Sequence, residues 1–170
     1  MHNITYTPAQ IWQILENVVD PEVPVLSVVD LGIIRHVEVK EGMGGTQVQV
    51  TITPTYSGCP AMDMIAANIR LELQLSGLQV VEIVNQLSPA WTTDWMSERG
   101  KAKLLEYGIA PPVAKLSACA GMEANEQQGI ECPRCGSHRT HVVSHFGSTA
   151  CKALHQCHDC KEPFDYFKCH

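Results

Sequence analysis

Two short cysteine pairs, Cys132-Pro-Arg-Cys135 and Cys157-His-Asp-Cys160, constrain this chain more than any other feature. Each pair sets two sulfurs on one side of a tight turn. Between them lies a 21-residue excursion, 136–156. Two such knuckles facing each other present four sulfurs at tetrahedral spacing, the donor set of a structural zinc ion. The stretches HRTHVVSHF, ACKALHQ and EPFDYFK read as short strands, so residues 130–170 are expected to form a zinc ribbon. A module of about 40 residues builds little core of its own, and the metal is expected to supply much of its stability.

The compartment decides how the remaining cysteines are read. The start, MHNITYTPAQIW, has no basic segment leading into an apolar run, and no apolar stretch reaches membrane-spanning length. A cytoplasmic protein without membrane association is the expectation. There, 8 cysteines point to metal or thiol chemistry rather than to a disulfide framework. Six of them, with six of the eight histidines, lie beyond residue 129. Cys151 and Cys169 read either as ordinary thiols or as a second or exchanged ligand set, an iron–sulfur cluster included, since thiolates serve both kinds of centre. His138 and His158 are surplus while four cysteines are present. Cys119 sits in a polar linker and reads as a free thiol.

Charge separates the two halves. The net charge is -6 at pH 7, but residues 1–129 hold 7 Lys and Arg against 14 Asp and Glu, whereas residues 130–170 hold 5 against 4. Neither half shows the basic footprint of a nucleic-acid binder, and the ribbon lacks Lys/Arg clusters interleaved with stacking aromatics.

Before the ribbon, helix and strand patterns alternate. TPAQIWQILENVV reads as a helix with Thr7 and Gln10 in a capping box and Pro8 in the first turn. DPEVPVLSVVDLGII is too rich in proline to continue it. IIRHVEVK and TQVQVTIT alternate around EGMGG as an antiparallel hairpin. AMDMIAANIRLELQLSG is a second helix stopped by Gly77, LQVVEIVNQL a third strand, and SERGKAKLLEYG a short helix from Ser97 to Gly108. The expected fold class is α+β: helices on a small antiparallel sheet over 1–112, a linker over 113–129, and the cysteine module over 130–170. Trp91 and Trp95 most simply cover an apolar edge.

Three loop features stand out here: Asp20-Pro21-Glu22, Asp30-Leu31-Gly32, and Thr55 to Pro60 with Cys59. With Pro60 as the first helical residue, Cys59 would occupy the helix cap, where unpaired N–H groups and the helix dipole favour a thiolate. A small apolar corner residue explains the position equally well. Asp20 and Glu22 read as solvated loop acids and Asp30 as a turn former. A Cys59 nucleophile would need a nearby histidine, and His36 is the only one in this part apart from His2.

DPEVPVLSVVDLGII, the hairpin, T…GCP at a helix entry, and PAW before a last helix resemble the iron–sulfur assembly domain of SufT-like bacterial proteins and of the eukaryotic cytosolic cluster-targeting factor, over about residues 8–112. With the tail FGSTACKALHQCHDCKEPFDYFKCH, the whole chain resembles the PaaD family of accessory subunits in bacterial phenylacetyl-CoA epoxidase systems. That resemblance implies two main helices on one antiparallel sheet. It implies a non-catalytic role in maturing or supplying the metal centres, di-iron or iron–sulfur, of oxygenase or reductase subunits in aerobic phenylacetate degradation. It places the functional thiol on Cys59 and supporting acids on Asp20, Glu22 and Asp30. One thiol does not hold a cluster alone, so a homodimer or a client thiol would complete the site. The other reading is a zinc-ribbon adaptor that bridges subunits without handling iron.

Overall fold

The computed structural model describes residues 6–42, 45–56, 58–113 and 129–168. Cys119, Cys169 and His170 lie outside them. The chain divides into two compact units, residues 1–91 with 95–97, and residues 92–94 with 98–170.

The first unit opens with helix α1 (Pro8–Leu15). Its capping box forms as expected: the Thr7 hydroxyl accepts the Gln10 N–H, and the Gln10 side chain accepts the Thr7 N–H at 2.8 Å. The helix ends sooner than its apolar spacing implies. Asn17 N–H turns back to Ile14 O at 3.0 Å, and Asp20-Pro21 then forbids continuation. Strands β1 (Ile34–Gly42) and β2 (Gly45–Ile52) form the antiparallel hairpin, with Val37 opposite Val50 and Val39 opposite Val48. Helix α2 (Ala61–Leu75) buries Ile65, Ile69 and Leu73 at helical spacing. It stops at Gly77, φ +99, where Gly77 N–H meets Gln74 O and Leu78 N–H meets Leu73 O.

Strand β3 (Val80–Asn85) joins β2 in parallel, Val48 opposite Val81 and Val50 opposite Ile83. The sheet, ordered β1-β2-β3, is therefore mixed, and the expectation of an antiparallel sheet is corrected at this strand. Helix α2 is the cause. Its 15 residues rise about 22 Å, close to the roughly 26 Å of the eight-residue β2. The helix returns the chain to the end where β2 began, so the next strand must run the same way. The α+β class stands.

The second unit holds helix α3 (Glu98–Tyr107) and a four-stranded sheet of β4 (Ile109–Ala110), β5 (Thr140–Ser144), β6 (Lys152–Cys157) and β7 (Pro163–Phe167), ordered β4-β7-β6-β5. The last three are the expected ribbon strands, paired antiparallel. Strand β4 is too short to show a period. It pairs in parallel with β7 through Ile109 opposite Asp165 and Ala110 opposite Tyr166. Ala110, Ile130, Cys132, Cys157 and Phe164 form the core. His155 is buried on β6 with the rings of Phe164 and Tyr166 at 5.7 and 5.4 Å. Burial, with the charges of His141 and His145 adding, pulls it down to about 4, so it is neutral at physiological pH. No helix among the described residues is long and apolar enough to cross a membrane.

Candidate functional site

The four knuckle cysteines come together. Cys132 Sγ lies 3.7 Å from Cys160 Sγ, and Cys135 Sγ lies 3.6 Å from Cys157 Sγ. All four sulfurs fall within 4.8 Å of one another. A tetrahedron with metal–sulfur bonds of about 2.3 Å has edges of about 3.8 Å. The donor set therefore fits a tetrahedral thiolate-bound ion. Cys151 is not among the four: it is buried in the turn just before β6, its sulfur 3.0 Å from Thr149 Oγ1.

Both knuckles close by the same hydrogen bonds. Gly136 N–H bonds Cys132 O at 2.8 Å, and Lys161 N–H bonds Cys157 O at 3.1 Å. In return Cys132 N–H bonds Ser137 O at 2.9 Å, and Cys157 N–H bonds Glu162 O at 3.1 Å. Each turn needs a left-handed residue after its second cysteine. The first knuckle uses Gly136, φ +73, and the second uses Lys161, φ +67. A side chain there costs about 1–2 kcal/mol, partly offset by the extra unfolded-state freedom of glycine. Lys161→Gly is therefore expected to stabilise the metal-loaded ribbon by about 1 kcal/mol, read from the denaturant midpoint; an unchanged or lower midpoint would count against this turn geometry.

The thiols do not ionise independently. Cys157 is pulled down to about 6, first by the backbone N–H of Cys160 and then by that of Asp159, which outweigh desolvation. Cys135 is pushed up to about 12: the Ser137 N–H pulls it down, but desolvation and the thiols of Cys157, Cys160 and Cys132 outweigh it. Cys160 is also raised, where the Glu162 N–H is overcome by desolvation and by Cys157 and Cys132. One thiolate forms readily and the next are resisted, as in any group of coupled acids. A divalent cation offsets the accumulated charge and lets all four ionise.

The Cys59 loop is built differently. Helix α2 starts at Ala61 with Pro60 at the cap, so Cys59 stands one residue earlier than expected, and the cap has no side-chain hydrogen bond. Cys59 N–H reaches Tyr56 O at 3.3 Å, and its own carbonyl accepts Met62 N–H at 3.3 Å. The residue is half-buried. Gly58 before it, φ +83, faces open space. At the other end of the loop Thr53 is 1% exposed, and its hydroxyl has no hydrogen-bond partner.

The acids are occupied by their own loops. Asp20 Oδ1 accepts the N–H groups of Glu22 and Val23 at 2.8 and 2.7 Å. Glu22 is half-buried. Asp30, wholly buried, accepts the Ser97 hydroxyl at Oδ1 and the Ser97 N–H at its carbonyl, each at 2.9 Å. Ser97 had no sequence signal for this role: 67 residues separate the pair. Trp91 is buried and donates to Leu31 O at 3.0 Å, while Arg35 lies 3.5 Å over the Trp95 ring. Among the described residues, only the four ribbon cysteines gather three or more metal-binding side chains within 4.8 Å. Cys59, Asp20, Glu22 and Asp30 do not form such a group.

Known proteins divide the chain in the same order. Residues 8–84 match the family described as iron-sulfur cluster assembly protein, and residues 117–168 match the PaaD zinc beta ribbon domain. A Porphyromonas gingivalis protein named "Fe-S protein maturation auxiliary factor" is 39% identical over 61% of this chain and 92% of its own. A crystal structure of a domain of unknown function from Bacillus anthracis superposes with a TM-score of 0.51 at 26% identity, covering 56% of this chain and 89% of that one. An Escherichia coli protein, named as one subunit of a "Putative 1,2-phenylacetyl-CoA epoxidase", is 48% identical over 94% of this chain and 92% of its own. With that identity over nearly the whole length, and with both family matches in place, the chain belongs to the PaaD family of phenylacetyl-CoA epoxidase subunits.

Proposed function

We propose that this protein is a non-catalytic accessory factor that delivers iron or an iron–sulfur unit to the metal-bearing oxygenase or reductase subunits of a phenylacetyl-CoA epoxidase system. The observation that carries the reading is the pairing, in one chain, of an iron–sulfur assembly domain with the family's zinc ribbon. Cys59 is the thiol that takes the cargo. It is half-buried, beside the open Gly58 and outside the ribbon. Among the described residues it belongs to no group of three or more metal-binding side chains. The cargo's other ligands then come from a second copy or from a client thiol. Asp20 and Asp30 brace the two loops through the bonds described above, and the half-buried Glu22 is the third supporting acid. The ribbon holds zinc as a structural ion and serves in client recognition.

Cys59→Ala separates the roles. The expected result is an unchanged fold and zinc content, with co-produced client subunits lacking their iron. Fully loaded, active client from that variant would sink the reading. It would favour an adaptor that bridges subunits through the ribbon alone, a reading supported by the fact that the ribbon's donor set is complete without Cys59.

A further inference from the structure

We propose that α3 and β4 fold as part of the metal-dependent ribbon, so that loading the four-cysteine site holds in place the helix that follows the Ser97 clamp on Asp30. The inference rests on the reading of the four cysteines as a metal site. It extends the ribbon backwards past residue 117, where the matched zinc ribbon region begins.

Three contacts tie α3 and β4 to the metal-binding turns. Strand β4 adds to β7, so the residues directly after α3 complete the ribbon sheet. Ala110, 1% exposed, packs in one core with the ligands Cys132 and Cys157. Arg134, inside the first knuckle, lies over the end of α3. A Cβ on Gly108 would stand 3.0, 3.2 and 3.6 Å from its Nη2, Cζ and Nε. Gly108 closes the helix, φ +91, with its N–H on Leu105 O at 3.0 Å. A guanidinium there faces the carbonyl end of the helix, where a cation is favourable.

A ribbon of this size depends on its ion for folding. Loss of the ion loosens the Arg134 turn and the Cys132–Cys157 core, and with them the surfaces that β4 and the end of α3 pack on. At the other end of α3, the preceding residue is Ser97, which makes two bonds to the buried Asp30.

Hydrogen exchange on the full chain tests this, with zinc bound and after removal by a chelator. The expected result is that amides of 101–110 lose protection together with 152–157 and 163–167, while 48–52 and 65–73 keep theirs. Retained protection in α3 while the ribbon strands lose theirs would overturn the coupling alone. Unchanged protection in the ribbon strands as well would overturn both the coupling and the metal reading beneath it. By reciprocity, damage to the α3 end must weaken the metal. Gly108→Val, strained by its φ of +91 where α3 closes, should lower zinc affinity by at least about fivefold in competition with a chromophoric chelator, with all four cysteines intact. Unchanged affinity would contradict the coupling.

Discussion

Cys157→Ser is expected to abolish stable zinc binding and to unfold the ribbon strands. Cys157 is 1% exposed, sits in the core with Ala110 and Phe164, and its thiol is pulled down to about 6. A serine hydroxyl stays neutral at physiological pH and is a poor partner for a thiolate-bound ion. Removing only an outer-shell partner of a metal site typically costs about 10–100-fold in affinity. Loss of a ligand should cost at least about 100-fold. Structural zinc supplies about 10–16 kcal/mol to modules of this kind, so the apo ribbon should lack fixed structure. Zinc per chain after dialysis against a weak chelator is the measurement, with near-ultraviolet circular dichroism as the check on structure. Cys151→Ser is the matched control. It removes an equally buried thiol outside the sulfur group and should keep its zinc. Zinc retained by Cys157→Ser, or lost by Cys151→Ser, would mean that the ligand set is wrong.

Gly32→Ala should destabilise the first unit as severely as any single methyl can. Gly32 has φ +73, and a Cβ there would stand 2.1 Å from Trp95 O and 2.6 Å from its carbonyl carbon. Both neighbours are backbone, so no side chain can swing away. The left-handed conformation alone costs about 1–2 kcal/mol, and the overlap forces the Trp95 segment outward. That movement also strains the two Ser97 bonds to Asp30. The expected loss is about 3 kcal/mol or more, a fall in melting temperature of about 12 °C or more for a unit of this size. Zinc content should be unaffected. A melting temperature within about 3 °C of the wild type would show that the approach of the 30–32 loop to Trp95 is looser than described.

The ribbon was the most legible part of the chain because its chemistry is local. Two residues of spacing in each knuckle dictate the ligand geometry, and the three strands between and after them carry ordinary alternation. What escaped depends on pairing across distance. Strand β4 is two residues long and becomes a strand only because β7 offers an edge. The direction of β3 is set by the length of α2 rather than by anything in LQVVEIVNQL. The need for glycine after Cys135 is visible in the sequence, but the same need after Cys160 is met by a lysine, which hides it. In the first unit the candidate loops stand out by their residues, while the partners of those residues do not. Asp30 reads as a turn former until Ser97 appears beside it. Cys59 lies one position outside the cap expected for it, because Pro60 takes the cap itself.

Delivery of iron through Cys59 is tested most directly by transfer in vitro. The full chain is loaded anaerobically with ferrous iron and sulfide, desalted, and mixed with metal-free client subunits, whose iron is then counted after separation. The expected result is client iron well above that obtained with Cys59→Ala handled identically, with zinc remaining on the ribbon in both. Equal iron in the client from the two proteins would contradict a delivery role for Cys59.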